Sequence, residues 1–257
     1  MSNIVAIARR ELGAYFDSPL AYFVVPAYVV LVGGFALWFD DLFAAGAVSL
    51  RGVFLWSAIF LVLLVPAITM RLFAEERRTG SLELLVTMPI TEAQLVLGKF
   101  AAAMALVAVA VATTLTYVVT LAVLGTPEVG EGGPPMIVRA FSETGLDFGP
   151  AVCGYLGLLL FGGALAAIGT AASSLTSNQI VAFLLALVIS LFPYVTGFFL
   201  ERVPAELLPV VQHLSFDYHF NQLARGVVDT RSLVFWGSVA AFALHVATFS
   251  LERRRLS

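Results

Sequence analysis

Phe100-Ala-Ala-Ala-Met-Ala-Leu-Val-Ala-Val-Ala-Val-Ala-Thr-Thr-Leu-Thr-Tyr-Val-Val-Thr-Leu-Ala-Val-Leu124 carries no charged side chain. As a helix it runs about 37 Å, longer than the roughly 30 Å hydrocarbon core of a bilayer. Apolar runs of the same kind recur on both sides, over roughly 21–39, 53–70, 151–172, 179–200 and 232–250. They are too long and too continuous for the short alternating strands of a barrel, the other spanning solution. Composition agrees, with 60% hydrophobic residues and 12% charged ones in 257. Soluble domains hold about 45–50% apolar and about 25% charged residues, so this chain is too poor in polar side chains to cover itself in water. The expected fold is an all-α membrane protein with six transmembrane helices, forming a single domain over 1–257.

The net charge of −3 gives no basic field for nucleic acid. A single cysteine, Cys153, rules out an intramolecular disulfide framework and lies in an apolar run where packing is its simplest role. Arg9 and Arg10 before the first span, with Phe43-Ala-Ala-Gly-Ala47 after it, resemble a signal peptide, but the apolar run is longer than a usual signal core. Six spans put both termini on one side. That side holds Arg9, Arg10, Arg71, Arg77, Arg78, Lys99, Arg253, Arg254 and Arg255; the other holds Arg51, Arg139, Arg202, Arg225 and Arg231. The excess of basic residues predicts both termini in the cytoplasm. Asp40, Asp41, Glu128, Glu131, Glu143, Asp147, Glu201, Glu206, Asp217 and Asp229 fall outside.

The segments between the spans carry more pattern. Residues 3–17 place Ile4, Val5, Ala8, Leu12, Tyr15 and Phe16 on one helical face and Asn3, Ala6, Arg10, Gly13 and Asp17 opposite. Such a helix suits the interface plane of a bilayer; a plain extension of the first span is the alternative. Asp17-Ser18-Pro19 breaks it, because the residue before proline resists helical geometry. The segment from Arg71 to Lys99 begins with four charges, Glu75 to Arg78, that end the second span. Gly80 interrupts the helix. Residues 81–88 predict a short helix with Leu82, Leu85 and Val86 on one face and Glu83 and Thr87 on another, stopped by Pro89. Thr91 and Gln94 make a capping box, flanked by Ile90 and Leu95 as a hydrophobic staple. Together they predict a small stiff knob between two spans.

Residues 125–149 are rich in Gly, Pro and acid and read as an external loop; Ser173 to Asn178 reads as a tight internal turn. Over 201–231, Pro204, Pro209 and Gly226 punctuate apolar stretches too short to span. A re-entrant pair of short helices fits, as does a pair lying on the outer surface; irregular backbone at depth requires cover by protein or water. Gly162, Ala166, Thr170 and Ser174 recur every four residues, a face that admits close helix approach. Pro26, Pro66 and Pro193 lie within spans and are candidate kinks.

Catalytic motifs are missing. There is no G-x-x-x-x-G-K-[ST], no H-E-x-x-H and no G-x-S-x-G. His213, His219 and His245 are scattered rather than spaced as metal ligands. No carboxylate lies in the middle of a span, which weighs against a proton- or ion-coupled carrier.

Phe73-Ala-Glu-Glu-Arg-Arg-Thr-Gly-Ser-Leu-Glu-Leu-Leu-Val-Thr-Met-Pro-Ile-Thr-Glu-Ala-Gln-Leu-Val-Leu-Gly-Lys-Phe100 resembles the signature of ABC-2-type transporter permeases. Arg9-Arg10-Glu11-Leu12 with Tyr15-Phe16 and Ser18-Pro19 is similar to their N-terminal interface helix. Ser215 to Asp229 is similar to the gliding-motility-associated subgroup, which does not itself establish gliding. The resemblance implies a bacterial inner-membrane permease of the exporter type, paired with a second copy or a paralogue. Two separate ATPase subunits would bind ATP and Mg, and this chain would hold no cofactor of its own. A cytoplasmic coupling helix within 75–88 would dock on the ATPase. Glu75, Glu76, Arg77, Arg78, Thr79, Gly80, Ser81, Leu82, Glu83, Leu85 and Met88, with Arg9, Arg10 and Glu11, are the candidate ATPase interface. Pro204, Leu208, His219, Phe220 and Arg225, in the external re-entrant helical hairpin, are candidate gate residues. The alternatives are a non-transporting scaffold that signals with ATPase strokes, a secondary transporter or channel, and a membrane-embedded enzyme.

Overall fold

The computed structural model describes residues 3–39, 50–81, 90–124 and 148–255. The described elements are all helices: α1 (Asn3–Asp17), α2 (Pro19–Phe39), α3 (Arg51–Thr69), α4 (Arg71–Thr79), α5 (Glu92–Thr113), α6 (Leu115–Leu124), α7 (Phe148–Leu175), α8 (Gln179–Val195), a 3-10 segment (Thr196–Arg202), α9 (Leu208–Leu214), α10 (Phe216–Ala224) and α11 (Thr230–Arg255). Six of the resulting runs are long and apolar enough to cross a membrane: Ala21–Phe39, Arg51–Thr79, Glu92–Val123, Gly149–Leu175, Gln179–Arg202 and Thr230–Arg253. The chain is a multi-pass membrane protein.

Two spans run farther than the apolar pattern suggests. α3 passes into α4 through Met70, whose N–H returns to the Pro66 carbonyl at 2.9 Å. Thr69 covers the carbonyls near Pro66, its hydroxyl donating to Val65 O at 2.9 Å. The polar half-turns of α4 and of early α5 therefore continue helices that start or end in apolar sequence. Ser173 and Ser174 also differ from the expected turn. They are the last turn of α7, and the chain reverses only at 176–178, where the Asn178 side chain caps α8 by accepting from Ile180 N at 2.9 Å.

α7 is the central helix, with α3, α5, α8, α10 and α11 all packed on it. Its small residues explain this. A Cβ on Gly162 would stand 2.7 Å from Val107 Cγ1 of α5, and one on Gly169 would collide with Thr69 of α3. Lipid tails are as apolar as leucine, so helices in a bilayer associate through close packing and hydrogen bonds rather than by escape from solvent. Toward the far end of α7 an aromatic cluster fills the space. Trp236 is 1% exposed, with its ring centroid 5.3 Å from Phe161 and 5.2 Å from Phe216.

α1 does not present its apolar stripe as the sequence pattern suggests. Ile7 and the Ile4 carbonyl lie against Gly98 of α5, and Tyr15 is buried with its hydroxyl donating to Ile68 O at 3.1 Å. Val5 and Phe16 remain 49% and 38% exposed. The stripe mostly meets protein, rotated toward Ile7 and Glu11, because the neighbouring ends of α4 and α5 supply both apolar surface and a charge for Glu11.

Candidate functional site

The end of the bundle that carries both termini holds a buried charge cluster. Lys99, the chain's single lysine, is 1% exposed on the second turn of α5. Its Nζ lies 2.8 Å from Glu76 Oε1 of α4 and 3.2 Å from Glu11 Oε2 of α1. The Phe73 ring, 5.3 Å away, covers the ammonium. Arg10 reaches across from α1, 2.6 Å from Glu11 and 3.7 Å from Glu76. One cation thus joins three helices that are far apart in sequence.

Burial works to raise the Glu11 pKa, but the charge of Lys99, then the hydrogen bonds from Arg10 and Lys99, outweigh it and hold the carboxyl below its ordinary range. A buried ion pair is weak evidence of net stability, since desolvation offsets much of the attraction. Its value here is positional: α1, α4 and α5 have one arrangement in which all three charges are met. Glu76 Oε2 is buried and makes no hydrogen bond among the described residues.

A second set of bonds fixes where α4 begins. Ser173 Oγ of α7 accepts from Phe73 N at 3.0 Å and Ala74 N at 3.1 Å, and donates to Met70 O at 2.8 Å. A helix start leaves backbone N–H groups without partners, and here another spanning helix supplies the acceptor. Ser173→Ala strands these buried groups and is expected to lower stability by about 1–3 kcal/mol, read as a drop in thermal midpoint in detergent with the helical content kept. On the α1 side, Arg71 donates to Ser18 Oγ at 3.2 Å and lies 5.2 Å above the Tyr15 ring. A cavity of about 470 Å³ remains between α1 and α4, bordered by Arg71, Glu75 and Glu76.

α4 ends at Gly80, whose φ of 75° is left-handed. A Cβ there meets no neighbouring atom, so the demand for glycine is purely conformational. That geometry costs other L-residues roughly 1–2 kcal/mol. Past it, the Thr91–Gln94 capping box forms, with Gln94 N donating to Thr91 Oγ1 at 3.2 Å and Thr91 N to Gln94 Oε1 at 3.4 Å. Asn3 Nδ2 donates to the same Gln94 oxygen at 3.1 Å, fastening the start of α1 to the start of α5.

The structure brings Arg10, Glu11 and Glu76 of the expected interface together. It leaves Arg9, Glu75, Arg78 and Thr79 exposed and Arg77 and Ser81 half-buried. Leu82, Glu83, Leu85 and Met88 lie outside the described residues, as do the candidate cleavage motif at 43–47 and most of the acidic loop. Lys99 and Ser173 were not among the expected interface residues. The signal for Lys99 was its being the single lysine at the foot of an apolar span.

The expected gate residues separate into two groups. Phe220 is 2% exposed, its ring 5.8 Å from Phe161, and His219 is 3% exposed, stacked 4.1 Å from Phe235. Pro204 and Arg225 are exposed and Leu208 half-buried, all outside the cluster. His219 Nε2 faces the His213 carbonyl at 3.1 Å and Nδ1 faces Ser232 Oγ at 3.0 Å. A carbonyl only accepts, so Nε2 carries the proton and Nδ1 accepts from the serine. Burial lowers the His219 pKa; Asp229 and the bond to His213 O work against the shift. A histidine with a lowered folded-state pKa binds fewer protons than the unfolded chain, so its contribution is lost as pH falls below the ordinary histidine range. The protection of backbone amides over α9 and α10, taken relative to the intrinsic exchange rate at each pH, is expected to fall between pH 7 and pH 5.5, and His219→Gln to flatten that response. His245 is exposed, and no group of three or more His, Cys, Asp or Glu residues is placed to hold a metal among the described residues.

Six spanning helices with a buried charge cluster at one end define a multi-pass membrane protein. The family model described as ABC-2 family transporter protein matches residues 42–229, well over half of the chain. The chain belongs to that family and is an ABC transporter permease. A comparison with curated proteins finds no match.

Proposed function

We propose that this permease is of the exporter type and is driven by two separate ATPase subunits docked at the corner formed by α1 and α4, with the sequence at 82–88 as the coupling segment. In this reading both termini face the cytoplasm of a bacterium, the inner membrane holds the protein, and a second copy or a paralogue completes the translocation unit. α9 and α10 form an outer hairpin whose buried His219 and Phe220 close the pathway on the far side. Membership of this family implies ATPase partners, and the Lys99–Glu76–Glu11 contact supports the termini-bearing end as the face that receives them. A docking surface transmits a stroke only if it is stiff, and this contact joins α4, directly upstream of the docking segment, to α5 directly downstream of it. Displacement at 82–88 then moves α3 and α5 together rather than bending the connection between them.

The decisive experiment purifies the protein from its native membrane in mild detergent, with photo-crosslinking, and identifies what accompanies it. A stoichiometric P-loop ATPase is expected, and Leu82→Asp with Glu83→Arg is expected to remove it without changing the thermal midpoint of the membrane domain. A chain that stays alone after crosslinking, or a double variant that keeps the ATPase at full yield and activity, sinks this reading.

A further inference from the structure

The cavity between α1 and α4 carries on its wall an arginine and a glutamate that meet no opposite charge in the described chain. Arg71 opens α4 and is half-buried; Glu75, one turn farther on, is exposed. Opposite charges at this spacing are neighbours on a helix surface and commonly pair. Arg71 is instead engaged with α1, donating to Ser18 Oγ at 3.2 Å and to Ala14 O at 3.5 Å above the Tyr15 ring. Both bonds come from the same terminal nitrogen, which leaves Nε and the other terminal nitrogen to meet a further acceptor. Among the described residues no carboxylate lies within ion-pair distance of Arg71, and no cation within that distance of Glu75.

Depth narrows the choice of ligand. The apolar run of α3 ends at Met70, and that of α2 begins just after Ser18-Pro19. The Arg71–Ser18 contact therefore marks the edge of the hydrocarbon at the termini-bearing end. α4 continues α3, and Glu75 stands about 6 Å beyond Arg71 along it. The headgroup layer of one leaflet is about 5–7 Å thick, half the difference between the whole bilayer and its hydrocarbon core. Arg71 and Glu75 thus span that layer. Charge narrows the choice further. The wall holds Glu11, Glu75 and Glu76 against Arg71 and Lys99, and Arg10 beside them balances the corner. A zwitterion preserves that balance, whereas a purely anionic headgroup leaves Glu75 facing like charge. A choline has no N–H to offer Glu75; a primary ammonium donates from every hydrogen.

We propose that the α1–α4 cavity binds the headgroup of a phospholipid bearing a primary ammonium, its phosphate on Arg71 and its ammonium on Glu75. Guanidinium and phosphate pair through two parallel N–H···O bonds, and Tyr15 and Ser18 hold the guanidinium in place for them. The lipid enters from the Arg71 end and needs no ATPase, so the site stands whether or not the corner docks one.

The test incubates the purified full chain in mild detergent with equal amounts of palmitoyl-oleoyl phosphatidylethanolamine, phosphatidylcholine and phosphatidylglycerol, and counts bound lipid by native mass spectrometry. One phosphatidylethanolamine per chain is expected, about tenfold ahead of either other lipid, the factor that one charge-assisted hydrogen bond supplies. Arg71→Gln is expected to weaken its binding. Glu75→Gln is expected to bring phosphatidylethanolamine down to the level of phosphatidylcholine with the thermal midpoint unchanged. Arg78→Gln, exposed on α4 outside the cavity, is expected to keep the preference. Equal binding of the three lipids by the wild type, or a preference that survives Glu75→Gln, overturns the proposal. So does displacement of the lipid by millimolar phosphoethanolamine, which would make the ligand a soluble phosphate ester instead.

Discussion

Lys99→Met is expected to be the most damaging single substitution at the termini-bearing end. It removes the shared cation and leaves Glu11 and Glu76 facing each other, both more than four-fifths buried. Breaking a buried ion pair by removing one partner costs about 3–5 kcal/mol, chiefly because the remaining charge is left uncompensated. Arg10 offsets part of this, since it already touches both carboxylates, but it is half-exposed and cannot replace an ammonium inside the contact. The measurement is the thermal midpoint in detergent across pH. The variant is expected to regain stability relative to the wild type as pH falls toward 4, since its stranded carboxyls protonate there while the wild type begins to lose the contribution of Glu11, whose pKa the folded state lowers. Adding Glu11→Gln and Glu76→Gln to Lys99→Met is expected to recover most of the lost stability at pH 7. A triple variant no more stable than Lys99→Met would show that the lysine acts through packing on Phe73 rather than through charge.

Gly169→Leu is expected to be comparably severe for a different reason. α7 passes α3 so closely at Gly169 that even a Cβ collides with Thr69, which is itself fixed by its bond to Val65 O. Overpacking usually costs about 1–3 kcal/mol, and here the obstacle includes a β-carbon and not only a flexible side-chain end. The expected result is a loss of monodisperse protein after extraction, with Gly169→Ala intermediate. Gly34→Leu is the control: it sits on a spanning helix with nothing within 4 Å of the added Cβ and is expected to purify normally.

These two sites also show what sequence made legible. The six spans were readable because each is an uninterrupted apolar run of bilayer length, and the Thr91–Gln94 cap and the Asp17-Ser18-Pro19 break were readable because capping and proline sterics are local. The crowded side of α7 was harder. The four-residue repeat of Gly162, Ala166, Thr170 and Ser174 pointed to close packing, yet the tightest approaches include Gly154, two periods upstream of it, and Gly169, off it, and both depend on where Phe54 and Thr69 arrive from another helix. The charge cluster was half legible. Four consecutive charges after a span advertised Glu76, but nothing local to Lys99 shows that residues twenty-three positions before it, in α4, and far earlier in α1 converge on its ammonium. The amphipathic stripe of α1 is legible as periodicity, but periodicity does not say what covers each residue: Tyr15 is buried against Ile68 O, while Val5 and Phe16 stay exposed.

The burial of Lys99 has a chemical consequence as well. The folded chain offers amine-directed reagents no accessible side chain, since its one lysine is enclosed by Phe73, Glu11 and Glu76. Acylation of that lysine requires α1, α4 and α5 to come apart, so the rate at which it is modified measures the free energy of that local opening. A slow, protein-stabiliser-sensitive labelling rate would make Lys99 a built-in clock for the corner, readable by peptide mass without any introduced probe.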